Sequence, residues 1–211
     1  SNNAQKLNIE FKKFFLNKNT TYKSYVLKNE NKDKIARLKA LLDTHEIKYN
    51  NTKKGTVKGY AYTSQTEEKM SVSSSDLVIQ TNQPKGKMVK ALFEPKTKLT
   101  DSLTYDITAW SIPYAHGFKA VASKAKVNTH VNKSAPFKKN IADPSSYAYI
   151  SKWNSLADAS FLAAVLKADI VPRFSEKPFA IDGKSYDRGT LIILRNDNQN
   201  NSFDTKLTAL A

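Results

Sequence analysis

Two stretches of this chain repeat one pattern 123 residues apart, and that limits the fold more than any other feature. The first begins at Tyr25-Val26-Leu27, continues through "KNENKDKIARLKALLDTHE" and reaches Ile47-Lys48-Tyr49. Ile35, Leu38, Leu41 and Leu42 share one face at helical spacing, so the piece reads strand, helix, strand. The second runs from "YAYI" (Tyr147 to Ile150) through "SKWNSLADASFLAAVLKAD" to "IVPRF" (Ile170 to Phe174). Leu27 aligns with Ile150, Leu38 with Phe161, Leu42 with Val165 and Ile47 with Ile170 at that single offset. Ser155 followed by Asp158 forms a capping-box start for the second helix.

Each copy closes on a further apolar strand, "SDLVIQTNQ" from Ser75 and "GTLIILRND" from Gly189. Here the offset falls to 114, so the first copy carries nine extra residues around "SQTEEKMSVSS", read as a longer surface hairpin. Two strand-helix-strand units with right-handed crossovers predict one α/β domain with helices on the faces of a sheet. The runs "LVI" and "LIIL" suit strands buried on both faces, as in parallel sheets.

The predicted organisation is a helix and linker over 1–20, one α/β domain over 21–198, and the start of a following segment over 199–211. Within the domain, repeat one covers 22–83, a connecting segment 84–146 and repeat two 147–198. The opening helix carries Leu7, Phe11, Phe14 and Phe15 as an apolar stripe. The connection holds a short helix, "KGKMVKALFE", a strand, "FKAVAS", and a polar surface run punctuated by Pro136 and Pro144. Ser1-Asn2 reads as a cleavage scar, and the final "SFDTKLTALA" as a helix cut short.

Composition narrows the chemistry. With 211 residues and 40% hydrophobic content the chain can bury a real core. No run approaches the length of a membrane span, and no signal peptide is visible. The absence of cysteine excludes disulfides, thiolate metal sites and a cysteine nucleophile. Net charge is +15, and the first 100 residues hold 20 basic against 9 acidic side chains. That excess allows an anionic partner. The lysines are scattered, however, and only a handful of arginines accompany them, which disfavours nucleic acid.

Phosphate-cradling glycine motifs and a G-x-S-x-G elbow are absent. The histidines are His45, His116 and His130, and a lysine follows three residues after each, so no H-x-x-E zinc pair exists. Metal ligands are therefore assigned to none of these residues. In open α/β sheets ligands gather beyond the carboxyl ends of strands, which points to the loops "KNEN" and "SKWNS".

The densest run is "DSLTYDITAWSIPYAHG", Asp101 to Gly117. Its Tyr105, Asp106, Thr108, Trp110, Tyr114 and His116, with Trp153 from the second loop, are the candidate functional residues. Asp106 and His116 could form an acid/base pair, with Ser111 or Ser123 as nucleophile. Alternatively Thr108 or Asp106 caps a short helix, Pro113 occupies its first turn, Gly117 ends it, and Trp110, Ile112 and Tyr114 pack in the core. The aromatic cluster could equally be an interface hot spot. The residue types favour a structural or interfacial role over catalysis.

This run, preceded by "NQPKGKMVKALFEP" and followed later by "KPFAIDGKSYDRGTLIILRND", resembles a region downstream of the catalytic domain in large bacterial zinc carboxypeptidases of the carboxypeptidase A/T type. The resemblance spans roughly Tyr22 to Asn198. It implies a three-layer, flavodoxin-like, class I glutamine amidotransferase-like α/β domain. The family's zinc ligands and catalytic glutamate lie in the preceding peptidase domain, and none maps here. The amidotransferase cysteine is missing too.

What the resemblance implies is a non-catalytic accessory domain without a cofactor of its own, in a secreted, periplasmic or envelope-associated protein. Its expected partners are the preceding zinc-bearing peptidase domain and a peptide substrate. Two other readings stay open: a stand-alone module for an anionic polymer, and a cysteine-independent hydrolase built on Asp106 and His116.

Overall fold

The computed structural model describes residues 2–16, 20–96, 111–131 and 140–211. The chain divides into two compact units, 1–134 and 135–211, and each copy of the repeat is centred in a different one.

The first unit opens with α1 (Asn2–Leu16), followed by β1 (Ser24–Leu27), α2 (Lys32–Thr44), β2 (Tyr49–Thr52), β3 (Gly55–Ala61), β4 (Glu67–Val72), β5 (Leu77–Gln80), α3 (Gly86–Phe93), α4 (Ile112–Ala115), β6 (Ala120–Ser123) and β7 (Thr129–His130). Its seven strands form one sheet in the order β4-β3-β6-β1-β5-β2-β7. Every neighbouring pair is antiparallel, with Val26 opposite Val78 and Val121, and Asn50 opposite Val78.

The unit contains a split crossover. Strands β1 and β2 each run antiparallel to β5, so they run parallel to one another with β5 between them. Helix α2 carries the chain across, and the β3–β4 hairpin returns it so that β5 fills the gap.

The second unit repeats this plan with β8 (Ala148–Ser151), α5 (Leu156–Lys167), β9 (Arg173–Phe174), a hairpin of β10 (Phe179–Ile181) and β11 (Lys184–Tyr186), then β12 (Leu191–Leu194) and α6 (Phe203–Leu210). Strand β12 lies between β8 and β9, antiparallel to both.

The architecture is thus mixed α/β, with six helices among the described residues. The expected parallel, flavodoxin-like sheet is corrected: the recorded pairings are antiparallel, and the two copies build separate sheets. An apolar run signals burial on both faces whatever the strand direction. In β5, Leu77 and Ile79 face the cluster formed with Ile35, Leu38 and Leu42 of α2 and Phe93 of α3. Val78 points the other way, among Val26, Val57, Val72 and Val121. Among the described residues no helix contributes to that second cluster, where three layers would require one. In β12 only one face is fully buried, through Leu191 and Ile193.

The repeat extends to how its helices end. In α2, Glu46 adopts φ 56°, its amide donates to the Asp43 carbonyl, and the Ile47 amide donates to the Leu42 carbonyl. In α5, Asp169 at φ 57°, the Leu166 carbonyl and the Ile170-to-Val165 bond reproduce the arrangement. These are Schellman caps, in which the left-handed position normally falls to glycine. Ile47 and Ile170, which the sequence places in strands, are the buried residues that close these caps against Leu42 and Val165; β2 and β9 begin later.

Substituting Glu46→Gly or Asp169→Gly is expected to stabilise its own unit by about 0.5–1 kcal/mol, because a Cβ is unfavourable at these angles. The Glu46–Lys85 pair, 3.5 Å apart and exposed, offsets little of this. Urea unfolding of the single and double variants would measure it, and an unchanged or lower midpoint would count against the cap assignment.

Helix α1 forms as its periodicity predicts, but its stripe is exposed: Leu7, Phe11, Phe14 and Phe15 all face outward. Lys87 of α3 lies 3.7 Å over the Phe14 ring. Among the described residues no helix is long and apolar enough to cross a membrane.

Candidate functional site

Of the residues singled out in the dense run, Tyr105, Asp106, Thr108 and Trp110 lie outside the described residues. Its last third forms a tightly capped corner. Ile112 and Pro113 open α4 and are buried, His116 is the C-cap, and Gly117 takes φ 59°. The Gly117 amide donates to the Tyr114 carbonyl at 3.1 Å and the Phe118 amide to the Pro113 carbonyl at 2.8 Å, again a Schellman motif. Pro113 in the first turn and Gly117 beyond the last therefore have local reasons to be there.

Tyr114 is half-buried, its ring edge-on to Tyr62 with centroids 5.0 Å apart. His116 is exposed, its ring 6.2 Å from that of Phe118. Of the two serines considered beside it, Ser123 serves the fold. Ser123 Oγ donates to the Lys58 carbonyl at 2.9 Å and accepts from the Ala125 amide. Ser111 Oγ is buried beside the Tyr62 phenol.

This corner forms one wall of a cleft of about 1080 Å³ in the first unit. The opposite wall comes from the β3–β4 hairpin, and the "KNEN" loop beyond β1 contributes Lys28 and Glu30. The strand-end rule that pointed to this loop belongs to parallel sheets and does not carry over to this antiparallel one.

The loop is held by Asp76, just before β5 and 2% exposed. Its carboxylate accepts from Lys28 Nζ at 2.8 Å, the Asn29 amide at 2.9 Å and the Ser73 amide at 2.8 Å. Burial opposes ionisation, but these donors outweigh it and hold the carboxyl below the usual carboxylate range. Lys28 also donates to the Ser71 carbonyl at 3.2 Å, tying the loop to the hairpin.

Behind the cleft is an aromatic group: Tyr22, Tyr25, Tyr60, Tyr62 and Tyr114 with Phe93. The Tyr62 hydroxyl donates to the Phe93 carbonyl. Burial drives the Tyr25 and Tyr62 phenols far above their ordinary value, and Tyr114 follows through burial and the neighbouring Tyr60 phenol. All three stay neutral through the physiological range, so they act as packing surface and not as bases, with Tyr62 also a hydrogen-bond donor. The cleft offers the Tyr62 and Tyr114 rings and a rim of both charges, Lys28, Lys69 and Lys119 with Glu30 and Glu68. Among the described residues no group of three histidines or carboxylates gathers as a metal site.

Trp153 belongs to the second unit and is 44% exposed. It lies over Gly189, which takes φ 87°; a Cβ there would sit 3.5 Å from the Trp153 ring. Sequence reasoning missed the main polar node of this unit. Arg195 forks onto Asp204 at 2.8 and 2.9 Å and donates to the Ser146 carbonyl and the Tyr149 hydroxyl. A lone arginine directly after the strand "LIIL" was the available signal. Asp76 was likewise read only as the start of a strand, although the Ser73-x-x-Asp76 spacing lets its carboxylate cap the preceding turn.

No family model, no curated protein and no solved structure matches the chain.

Proposed function

We propose that this chain is a non-catalytic accessory domain of a zinc metallocarboxypeptidase, and that its cleft docks the peptidase or positions a peptide substrate. The single observation that carries the reading is the corner formed by "IPYAHGF". The segment that most resembles the carboxypeptidase family spends its polar groups on capping and its rings on packing, and His116 stands exposed beside them. A catalytic histidine needs a dry site; a docking wall needs rigidity and aromatic area. The zinc and the chemistry then belong to the preceding domain, in a secreted or envelope-associated parent.

The test is a matched assay on peptides with free C-termini. It compares the 211-residue chain with a longer protein in which it follows a carboxypeptidase domain, each with zinc and with a chelator. The chain alone is expected to release no C-terminal residue, and the longer protein to do so only with zinc. Zinc-dependent release by the chain alone would overturn the reading.

A further inference from the structure

A second concavity, of about 270 Å³, lies in the first unit between the β2–β3 turn and the segment leaving β6. Among the described residues Lys53, Lys54, Lys58 and Lys126 line it, and no aspartate, glutamate or arginine does. Among the described residues none of the four forms an ion pair. All are exposed, whereas the nearby Lys124 is matched by Glu67 at 3.4 Å. Alternation along β3 turns Lys58 to the face opposite Val57, so the ammoniums left to this groove are those of Lys53, Lys54 and Lys126.

The lining also says which anion. Val57, Val72 and Val127 form an aliphatic floor, and Gly55 leaves open space at one end. Among the described residues no aromatic ring lines it for bases to stack on, and no arginine fork for bidentate phosphate contacts. Lysine ammoniums on flexible stems suit single carboxylates carried on flexible arms, whose methylenes can rest on the valines.

We propose that this groove binds an acidic peptide segment, its carboxylates held by Lys53, Lys54 and Lys126. This goes beyond the accessory-domain reading and is measured without any peptidase, so its failure would leave that reading standing.

The experiment titrates the full chain into a fluorescently labelled octapeptide of alternating glutamate and alanine at low salt, following anisotropy. Saturable micromolar binding is expected, weakened by added salt. The double reversal K53E/K126E is expected to weaken it at least about tenfold. The double reversal K12E/K32E changes the net charge equally at exposed lysines on α1 and α2, and is expected to weaken it less than about threefold. Circular dichroism checks that both variants fold. Absence of saturable binding would overturn the proposal, as would equal losses in the two variants. So would an octamer of single-stranded thymidylate that binds more tightly than the peptide and displaces it, since the groove would then take nucleic acid.

Discussion

Replacing Gly59 with alanine is expected to cost the first unit about 3 kcal/mol, the largest effect of a methyl added at any glycine whose surroundings are described. The cause is space, since Gly59 does not sit in the left-handed region. A Cβ at this position would lie 2.2 Å from the Ala122 carbonyl oxygen and 2.8 Å from its carbon. Both are backbone atoms of β6 and cannot rotate away. Strand β3 would have to withdraw from β6, breaking the pairing of Tyr60 with Ala122 and Ala61 with Val121 that joins the hairpin to the sheet. Gly55, with nothing within 4 Å, is the internal control, and its alanine variant is expected to melt like the parent. Thermal unfolding with amide hydrogen exchange assigned to each unit would test this. A Gly59→Ala variant as stable as the parent would mean that β3 and β6 do not approach this closely.

The second large effect is expected at Asp76. Its carboxylate satisfies the Lys28 ammonium and two backbone amides from a position 2% exposed. Alanine there strands all three donors. We expect a loss of about 2–4 kcal/mol, below the upper range for buried pairs because Lys28 can turn toward water. Asparagine keeps the shape but points an amide donor at other donors, so Asp76→Asn should recover little.

The pH dependence has a definite sign. The folded carboxyl titrates below its unfolded value, so its contribution is complete above the unfolded value and is lost as pH falls through the folded one. The gap in stability between the parent and Asp76→Asn should therefore hold steady from neutral pH down to about pH 5 and narrow below about pH 4. A gap that widened in acid would show the carboxyl to be raised, not lowered. The same substitution removes the Asp76 anchor and leaves the "KNEN" loop held by the Lys28–Ser71 and Asn29–Ser75 bonds, so it also reports on the shape of the cleft.

Several parts of the candidate site were legible because they are local. Pro113 and Gly117 mark the corner in the sequence, and the observed bonds from Gly117 and Phe118 are those such spacing produces. Ser155 and Asp158 meet as a capping box for the same reason, with the Ser155 amide donating to Asp158 at 2.7 Å. The cleft itself was not legible. It exists because Lys28, the β3–β4 hairpin and Tyr114 converge from distant parts of the chain, and no window of sequence contains that convergence. The lysine groove was hidden likewise. Lys53 and Lys126 are far apart in sequence and meet only because β2 pairs with β7, Thr52 opposite Thr129.

The sequence by itself determined the two strand-helix-strand copies, their offset, the face of α2 that enters the core, the corner at Gly117 and the cap at Ser155. These depend on side-chain spacing and on backbone preferences within a few residues. Only the tertiary structure decided the order and direction of the strands. A helix between β1 and β2 makes them parallel, but nothing local says whether they touch. Strand β5 settles that by entering between them after its hairpin, and β12 does the same in the second copy. The physical reason is that Leu77, Val78 and Ile79 must be buried on both faces at once, and a central slot provides that burial where an edge would leave a row of backbone groups unpaired. That competition is decided by contacts between distant residues, which is why the same apolar runs that point to a parallel sheet belong to an antiparallel one.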